Sequence, residues 1–180
     1  MRAHTIAAVT ALALLSFTAR AEVKETGGDH MLIQDSRTVH AAPEKLYVAI
    51  VDIGHWWSSE HTYSGDATHL NIQAEAGGCF CERWGNQSVA HGHVIWAAPG
   101  HLLRLDTALG PLQSMAVQGV MTFSLKPAAD GTTLQFDYRV NGSSASALDK
   151  VAPNVNDVLM QQLQRLQHYV ETGKSQPPQS

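Results

Sequence analysis

The chain has 180 residues, of which 44% are hydrophobic and 16% are charged. These proportions are typical of a single globular domain with a sizeable core, and they exclude an intrinsically disordered chain. Residues 1–21 combine the basic Arg2, an apolar stretch over residues 6–17 and a small-x-small triplet at residues 19–21. This order predicts a signal peptide that is cleaved after Ala21.

The apolar stretch is shorter than the roughly 20 residues that span a bilayer, so a membrane anchor is the weaker interpretation. Loss of Arg2 and Arg20 leaves 10 Lys+Arg against 16 Asp+Glu, a net charge of 10 − 16 = −6. Negative charge disfavours nucleic acid and anionic membrane surfaces as partners. We therefore expect a periplasmic or secreted protein with no membrane span after cleavage and no nucleic-acid partner.

The first part of the predicted mature chain contains one strand and two short helices. Residues 22–28 are expected to be a flexible lead-in, and residues 30–40 an opening strand. Pro43 begins a short amphipathic helix that Gly54 ends, because proline is favoured in a first helical turn and glycine after a last one. A second short helical turn is predicted at residues 55–58.

Antiparallel strands follow. Residues 70–75 and 79–84 are predicted strands, and the second of them forms a hairpin with residues 89–96. A strand at 103–107 precedes an irregular loop at 110–113. The clearest hairpin pairs residues 121–125 with 134–140, whose apolar residues alternate strictly with polar ones, across a turn at Asp130-Gly131.

The last element is a long helix predicted over residues 146–172, whose apolar residues recur at steps of three and four. Ser146 and Asp149 form a capping signature, and Gly173 ends the helix. Pro153 lacks a backbone N–H, so we expect a kink or a restart there. Residues 174–180 are expected to be a disordered tail.

An apolar sheet face and an apolar helix face of this length pack most economically on each other. The predicted fold class is therefore α+β, with a curved antiparallel sheet wrapped around the long C-terminal helix and two short helices after the first strand.

Short motifs support a family resemblance. They are Val39-x-Ala41-x-Pro43-Glu44, Trp56-Trp57, Gly77-Gly78-x-Phe80-x-Glu82 and Gly131-Thr132. With the order of elements, they resemble the START/Bet v 1-like (SRPBCC) superfamily, in particular its branch of polyketide cyclases and homologues of the activator of Hsp90 ATPase. The resemblance implies a helix-grip domain over residues 29–173. It also implies an apolar cavity between sheet and helix that holds a hydrophobic ligand or, in some members, a substrate.

Polar side chains cluster on the predicted hairpin of residues 79–96. If its turn centres on Asn86-Gln87, Glu82 faces His91 and Phe80 faces His93. A carboxylate and two imidazoles on one face form a general acid/base group or a metal site. Ordinary histidines on the face of the sheet, without a role in chemistry, are the favoured alternative. The same face carries Phe80, Trp84 and Ile95.

Cys79 and Cys81 have two interpretations of their own. Shifting the hairpin register by one residue would bring both cysteines near His91 and His93 as a Cys₂His₂ site. Alternatively, the cysteines form a disulfide or remain unpaired. A disulfide between residues two apart on a strand requires local distortion, since their Cα separation is near the upper limit for the bond. We assign no metal and no cofactor.

Aromatic and polar residues after the first helix are expected at the open end of the cavity, where they contact a ligand, although one tryptophan closing the core is an alternative. Leu109, Leu112 and Met115 of the irregular loop are candidates for a gate at this opening, although packing of these residues onto the rim of the domain is the favoured interpretation. The full set of expected ligand contacts is Trp56, Trp57, His61, Tyr63, Phe80, Trp84, Met115, Phe136, Leu159, Gln162 and Leu163.

Three functions remain open from the sequence. The first is an exported carrier or sensor of a small hydrophobic molecule such as a lipid, a polyketide or an aromatic compound. The second is a cyclase or dehydratase that uses Glu82 with His91 or His93 as general acid and base. The third and least favoured is a metal-binding or interaction module. The sequence contains no nucleophile-elbow motif and no phosphate-binding glycine loop.

Overall fold

The computed structural model describes residues 22–175. The predicted signal peptide and the last five residues of the predicted tail lie outside this range. The described elements are, in order, β1 (Glu22–Thr26), β2 (His30–Val39), α1 (Pro43–Val51), β3 (Leu70–Ile72), β4 (Cys79–Trp84), β5 (Gln87–Ala98), β6 (Leu102–Thr107), β7 (Gln118–Ala128), β8 (Gly131–Asn141) and α2 (Leu148–Thr172).

Short 3-10 turns connect several of these elements. They lie at Ile53–His55, Ser59–His61 and Ala67–His69 between α1 and β3, at Gly110–Met115 between β6 and β7, and at Ser144–Ser146 before α2. Together with α1, the first group of turns is what the sequence predicts as two short helices.

The strands form one antiparallel sheet in the order β1-β2-β8-β7-β6-β5-β4-β3. The sheet curves around α2, which contacts β1, β2 and α1. On β8, Leu134, Phe136 and Tyr138 are buried on the face towards the helix, and their alternation with polar residues is what the sequence shows. The α+β helix-grip architecture predicted from the sequence is therefore confirmed.

The stretch at residues 22–28 is not an irregular lead-in. Residues Glu22–Thr26 form β1, which pairs with β2 between Val23 and Ile33 and between Thr26 and Met31. The exposed side chains of Lys24 and Glu25 gave the stretch its polar composition. Charged residues are common on edge strands, where they discourage pairing with other chains, and they conceal the alternation that would reveal a strand.

The helix α2 begins at Leu148, one residue later than its capping signature predicts. Its N-cap is Ala147, at φ +48° and without a side-chain capping bond, rather than Ser146. The helix runs without a restart through Pro153, whose side chain is exposed. At the other end, Gly173 at φ +71° donates its N–H to the carbonyl of Tyr169 at 2.8 Å, as expected for a glycine C-cap.

Within residues 22–175, none of the helices combines the length and hydropathy that crossing a bilayer requires.

Candidate functional site

The turn of the β4–β5 hairpin lies one residue earlier than predicted, which shifts the pairing of the two strands by two residues. Its turn is Gly85-Asn86, closed by the pair Trp84 and Gln87, and Gly85 has φ +53°. Positive φ at the first turn position favours glycine, so the chain turns at Gly85 rather than one residue later. Glu82 therefore lies opposite Val89.

A β-bulge then interrupts this hairpin. Cys81 pairs with Ala90 and Phe80 with Gly92, which leaves His91 as an extra residue on β5. A bulge of this kind shifts the alternation of side chains by one position. His91 is buried on the inner face, and His93 is exposed opposite Cys79 on the outer face. The prediction that both histidines share the cavity face is wrong for His93.

The register also removes the proposed Cys₂His₂ site. Cys79 and Cys81 are joined by a disulfide, with their Cα atoms 5.4 Å apart. Bridged sulfurs are not thiolate ligands. His93 pairs with Cys79 rather than with Cys81, as the site would require.

Glu82 and His91 form a buried pair on the inner face of the sheet. Glu82 is completely buried, and His91 is 7% exposed. The Nε2 atom of His91 lies 3.0 Å from Oε2 of Glu82. The same carboxylate accepts the backbone N–H of Tyr63 at 3.1 Å and that of Ser64 at 2.5 Å. The sequence did not reveal these backbone donors, because any residue type supplies them.

The surroundings fix the charge state of this pair. Burial alone would raise the pKa of Glu82, but hydrogen bonds from Ser64, Tyr63 and His91 outweigh burial and lower it. Burial lowers the pKa of His91, against the opposing effect of Glu82. At neutral pH Glu82 is ionised and His91 is neutral. An ionised carboxylate only accepts hydrogen bonds, so Nε2 of His91 carries the proton and Nδ1 is an acceptor.

A cavity of about 450 Å³ adjoins this pair, between α2, the segment before β3 and the loop before β7. Phe80 and His91 form its floor, with ring centroids 4.9 Å apart, and the ring of Tyr63 lies 5.8 Å from that of His91. The full lining is Trp57, His61, Thr62, Tyr63, Leu70, Phe80, His91, Leu109, Gly110, Pro111, Asn154, Val155, Val158 and Leu159.

Five of the predicted ligand contacts lie in this lining, and six do not. Those in the lining are Trp57, His61, Tyr63, Phe80 and Leu159. Trp56, Phe136 and Leu163 are buried in the core instead, where Phe123 packs edge-on against Phe136 at 5.2 Å. Trp84 and Met115 are partly buried outside the lining. Apolar periodicity identifies a buried face but does not distinguish a cavity wall from solid core.

Gln162, the polar interruption in the apolar face of α2, has a structural role rather than a place in the cavity wall. Its Oε1 accepts the backbone N–H of Ser58 at 2.8 Å. One turn further along, Nε of the buried Arg165 donates to the carbonyl of Trp56 at 2.8 Å. Both bonds fasten the segment that carries Trp57, Thr62 and Tyr63 to α2, and so they hold one side of the cavity in place.

Hydrogen bonds from Tyr63 and Gln113 tie the loop before β7 to the other walls of the cavity. The Tyr63 hydroxyl donates to the carbonyl of Gly110 at 3.1 Å, and Nε2 of Gln113 donates to the carbonyl of Ala90 at 2.8 Å. Of the gate residues expected in this loop, Leu109 lines the cavity, Leu112 is completely buried in the core and Met115 lies outside the lining. The sequence did not indicate the contributions of Gly110 and Pro111 or of Val155 and Val158 on α2.

Comparisons with known proteins support the fold at low sequence identity. No family model matches the sequence, and no curated protein is significantly similar to it. A crystal structure of a Mesorhizobium loti protein has 16% identity and a TM-score of 0.56, covering 76% of this chain and 94% of its own. Aha1 of Colwellia psychrerythraea has 18% identity and a TM-score of 0.54, and the match covers 79% of this chain and 98% of Aha1. CalU16 of Micromonospora echinospora has 16% identity and a TM-score of 0.50, covering 82% and 77%.

At this level of identity, the neighbours establish the fold alone. They include the proteins named Aha1 and CalU16, whose fold this chain shares. The neighbours therefore agree with the helix-grip fold that the structure shows.

Proposed function

We propose that the protein binds one small, uncharged and largely apolar molecule in the cavity between α2 and the sheet. The observation that carries this proposal is the composition of the cavity. Its walls are predominantly apolar, and its floor contains one buried imidazole whose Nε2 atom is held by Glu82. A volume of about 450 Å³ is within the range of roughly 300–1,000 Å³ that small-molecule sites occupy.

The polar group of the ligand is proposed to donate a hydrogen bond to Nδ1 of His91. Within residues 22–175, the His91 ring makes its hydrogen bond through Nε2, to Glu82. A hydroxyl on an aromatic or polycyclic skeleton would satisfy Nδ1 and leave the rest of the molecule against Phe80 and Leu159. Apolar burial would then supply most of the affinity, and the hydrogen bond would set the orientation.

A negatively charged ligand is disfavoured. Glu82 carries its charge directly behind His91, and the described lining contains neither Lys nor Arg. A carboxylate placed at Nδ1 would therefore be buried near a like charge without a cation to balance it. This separates the proposed ligands from free fatty acids and other ionised lipids.

Calorimetric titration with three naphthalene probes tests the ligand class. We expect 2-naphthol to bind best. 2-Methoxynaphthalene should bind about tenfold more weakly, since it leaves the buried acceptor without a donor at a cost of roughly 1–3 kcal/mol. 2-Naphthoate should bind most weakly. Equal affinity for all three probes, or no saturable binding of any, would contradict the proposal.

A pair of valine variants locates the binding. Val155 lines the cavity from α2, whereas Val48 on α1 is 67% exposed. Val155→Phe should abolish 2-naphthol binding by filling the cavity, and Val48→Phe should leave the affinity unchanged. Unimpaired binding to Val155→Phe would place the probe elsewhere on the protein.

A second candidate function is catalysis of the cyclase or dehydratase type. The observation that favours it is the Glu82–His91 pair, in which a buried carboxylate orients a neutral imidazole towards a cavity. This is the arrangement of a general base. His93 is withdrawn from the proposed machinery, because it lies on the outer face of the sheet.

Deuterium exchange tests this candidate without knowledge of the substrate. The methyl protons of 2-acetylnaphthalene, a bound aryl ketone, should exchange in D₂O faster with the protein than in buffer. His91→Gln should remove the acceleration, and His93→Gln should not. Exchange at the buffer rate with the unmodified protein would exclude His91 as a general base for this compound class. Exchange with His91→Gln as fast as with the unmodified protein would exclude it as well.

The proposed site of action is the periplasm or the extracellular space, on the basis of the signal-peptide pattern at residues 1–21. Expression of the full chain in its own host, followed by cell fractionation and intact-mass measurement, tests this. The expected product is an exported chain that begins at Glu22. Recovery of the uncleaved chain with the cytosolic fraction would contradict it.

A further inference from the structure

Two irregularities face each other across the hairpin of β4 and β5. On β5, His91 is the extra residue of a β-bulge between Ala90 and Gly92. On β4, directly opposite, a disulfide joins Cys79 and Cys81 on either side of Phe80. The two irregularities therefore lie at the same level of the sheet, next to the floor of the cavity.

The disulfide coincides with a shortening of β4. Residues two apart on a regular strand are separated by twice the rise of about 3.2–3.4 Å, or roughly 6.4–6.8 Å. The Cα atoms of Cys79 and Cys81 are 5.4 Å apart. Their partners on β5 are His93 and Ala90, three residues apart. The two residue steps from Cys79 to Cys81 on β4 are therefore shortened, and they lie opposite three residue steps, from Ala90 to His93, on β5.

We propose that the Cys79–Cys81 disulfide is a positioning element for the binding site. By shortening β4 around Phe80, it stabilises the bulge that holds the His91 ring against Phe80 and Glu82 at the floor of the cavity.

Contacts around the bulge support this role. The bulge residue directs its carbonyl away from β4, and Thr107 on β6 donates its hydroxyl to that oxygen at 2.6 Å. Gly92 leaves no room for a side chain, since a Cβ atom there would lie 2.3 Å from the carbonyl oxygen of Asp106. The surrounding strands are therefore fitted to the bulged form, and the disulfide fixes the length of the strand that opposes it.

The chemistry of the test is the reduction of a disulfide by a dithiol. Dithiothreitol breaks the S–S bond and gives two thiols, while it is itself oxidised to a cyclic disulfide. Cys79 is partly exposed and offers a point of attack, whereas Cys81 is buried. The double variant Cys79→Ser/Cys81→Ser removes the bond without a reductant.

The experiment compares the oxidised protein, the reduced protein and the double serine variant by NMR titration of the His91 ring. Glu82 and Tyr63 are the titratable groups in contact with this ring, and His61 lines the same cavity. Loss of the disulfide should raise the pKa of His91, because a loosened ring gains solvent and burial is what lowers that pKa. His93→Ala serves as the control and should leave the His91 titration unchanged.

Binding of 2-naphthol is the second readout, and it rests on the proposed function. Its affinity should fall about tenfold when the disulfide is lost. If the His91 titration shifts but no form binds 2-naphthol, the positioning role stands and the proposed function fails. An unchanged His91 titration in folded protein without the disulfide would overturn the positioning role. Global unfolding on reduction would also overturn it, since the bond would then hold the whole fold together.

Discussion

Glu82 and His91 define the chemistry of the cavity because each fixes the state of the other. The carboxylate is completely buried and accepts three hydrogen bonds, from His91, Tyr63 and Ser64. Its charge determines which nitrogen of His91 carries the proton, and hence which nitrogen remains available to a ligand. The polarity of the site is therefore set by a residue that is not part of the cavity lining.

Glu82→Gln should lower the free energy of unfolding by about 2–3 kcal/mol. The amide NH₂ group of glutamine is a donor, and it would face N–H groups that now donate to the carboxylate. The pKa of His91 should fall further, since the hydrogen bond and the charge of Glu82 are what raise it. Urea unfolding and NMR titration measure the two effects. Glu75→Gln, at an exposed position, is the matched control. A higher pKa of His91 in Glu82→Gln would contradict the assignment of charge.

Stability should decrease as the pH is lowered. The folded-state pKa values of His91 and Glu82 both lie below their ordinary values of 6.5 and 4.5, so the unfolded chain takes up protons first. Their contribution is complete above about pH 6.5. It declines first as unfolded His91 is protonated, and again below about pH 4.5.

Urea unfolding between pH 8 and pH 4 measures this dependence. His91→Gln should remove the part of the decline nearest to pH 6, and His93→Gln should retain it. The same pH profile for His91→Gln and the unmodified protein would show that His91 titrates normally in the folded state.

At the scale of elements, the β-bulge on β5 determines which side chains face the cavity. It turns His93 outward while His91 remains on the inner face, and its close packing against β6 depends on the absence of a side chain at Gly92. Bulges of this kind redirect side chains near functional sites.

Gly92→Ala should therefore lower the free energy of unfolding by about 3 kcal/mol, since its Cβ atom collides with the backbone of β6. Ala90→Ser, at an exposed side chain on the same strand, should change it by no more than about 0.5 kcal/mol. Urea unfolding of both variants provides the measurement. Equal stability of the two variants would contradict the close packing of the bulge.

The proline inside helix α2 allows a test of that element's stability. Pro153 lies inside the helix without a backbone N–H to donate to the preceding turn, and its side chain is exposed. Pro153→Ala should raise the free energy of unfolding by about 1–3 kcal/mol, because it restores that bond and removes the crowding of the ring. Thermal unfolding measures the change, with Gln164→Ala, on the exposed side of α2, as the control. A lower stability of Pro153→Ala would mean that the proline is well accommodated.

For the whole molecule, the sequence predicted the fold better than the site. The alternation on β8 and the periodicity of α2 reflect burial directly, so both elements could be recognised. The edge strand β1 was missed, since its charged side chains carry no alternation. His93 was placed on the wrong face, because a single extra residue in a strand leaves no mark in the composition. Trp56 and Phe136 were assigned to the cavity because residue type does not reveal depth in a core.

We propose that the cavity beneath α2 holds a small, uncharged, largely apolar molecule. Native mass spectrometry of the protein purified from its own host tests this most directly, with Val155→Phe and Val48→Phe prepared in the same way. We expect an added mass of one small molecule on the unmodified protein and on Val48→Phe, and no added mass on Val155→Phe. An equal added mass on Val155→Phe, or no added mass on any of the three, would contradict it.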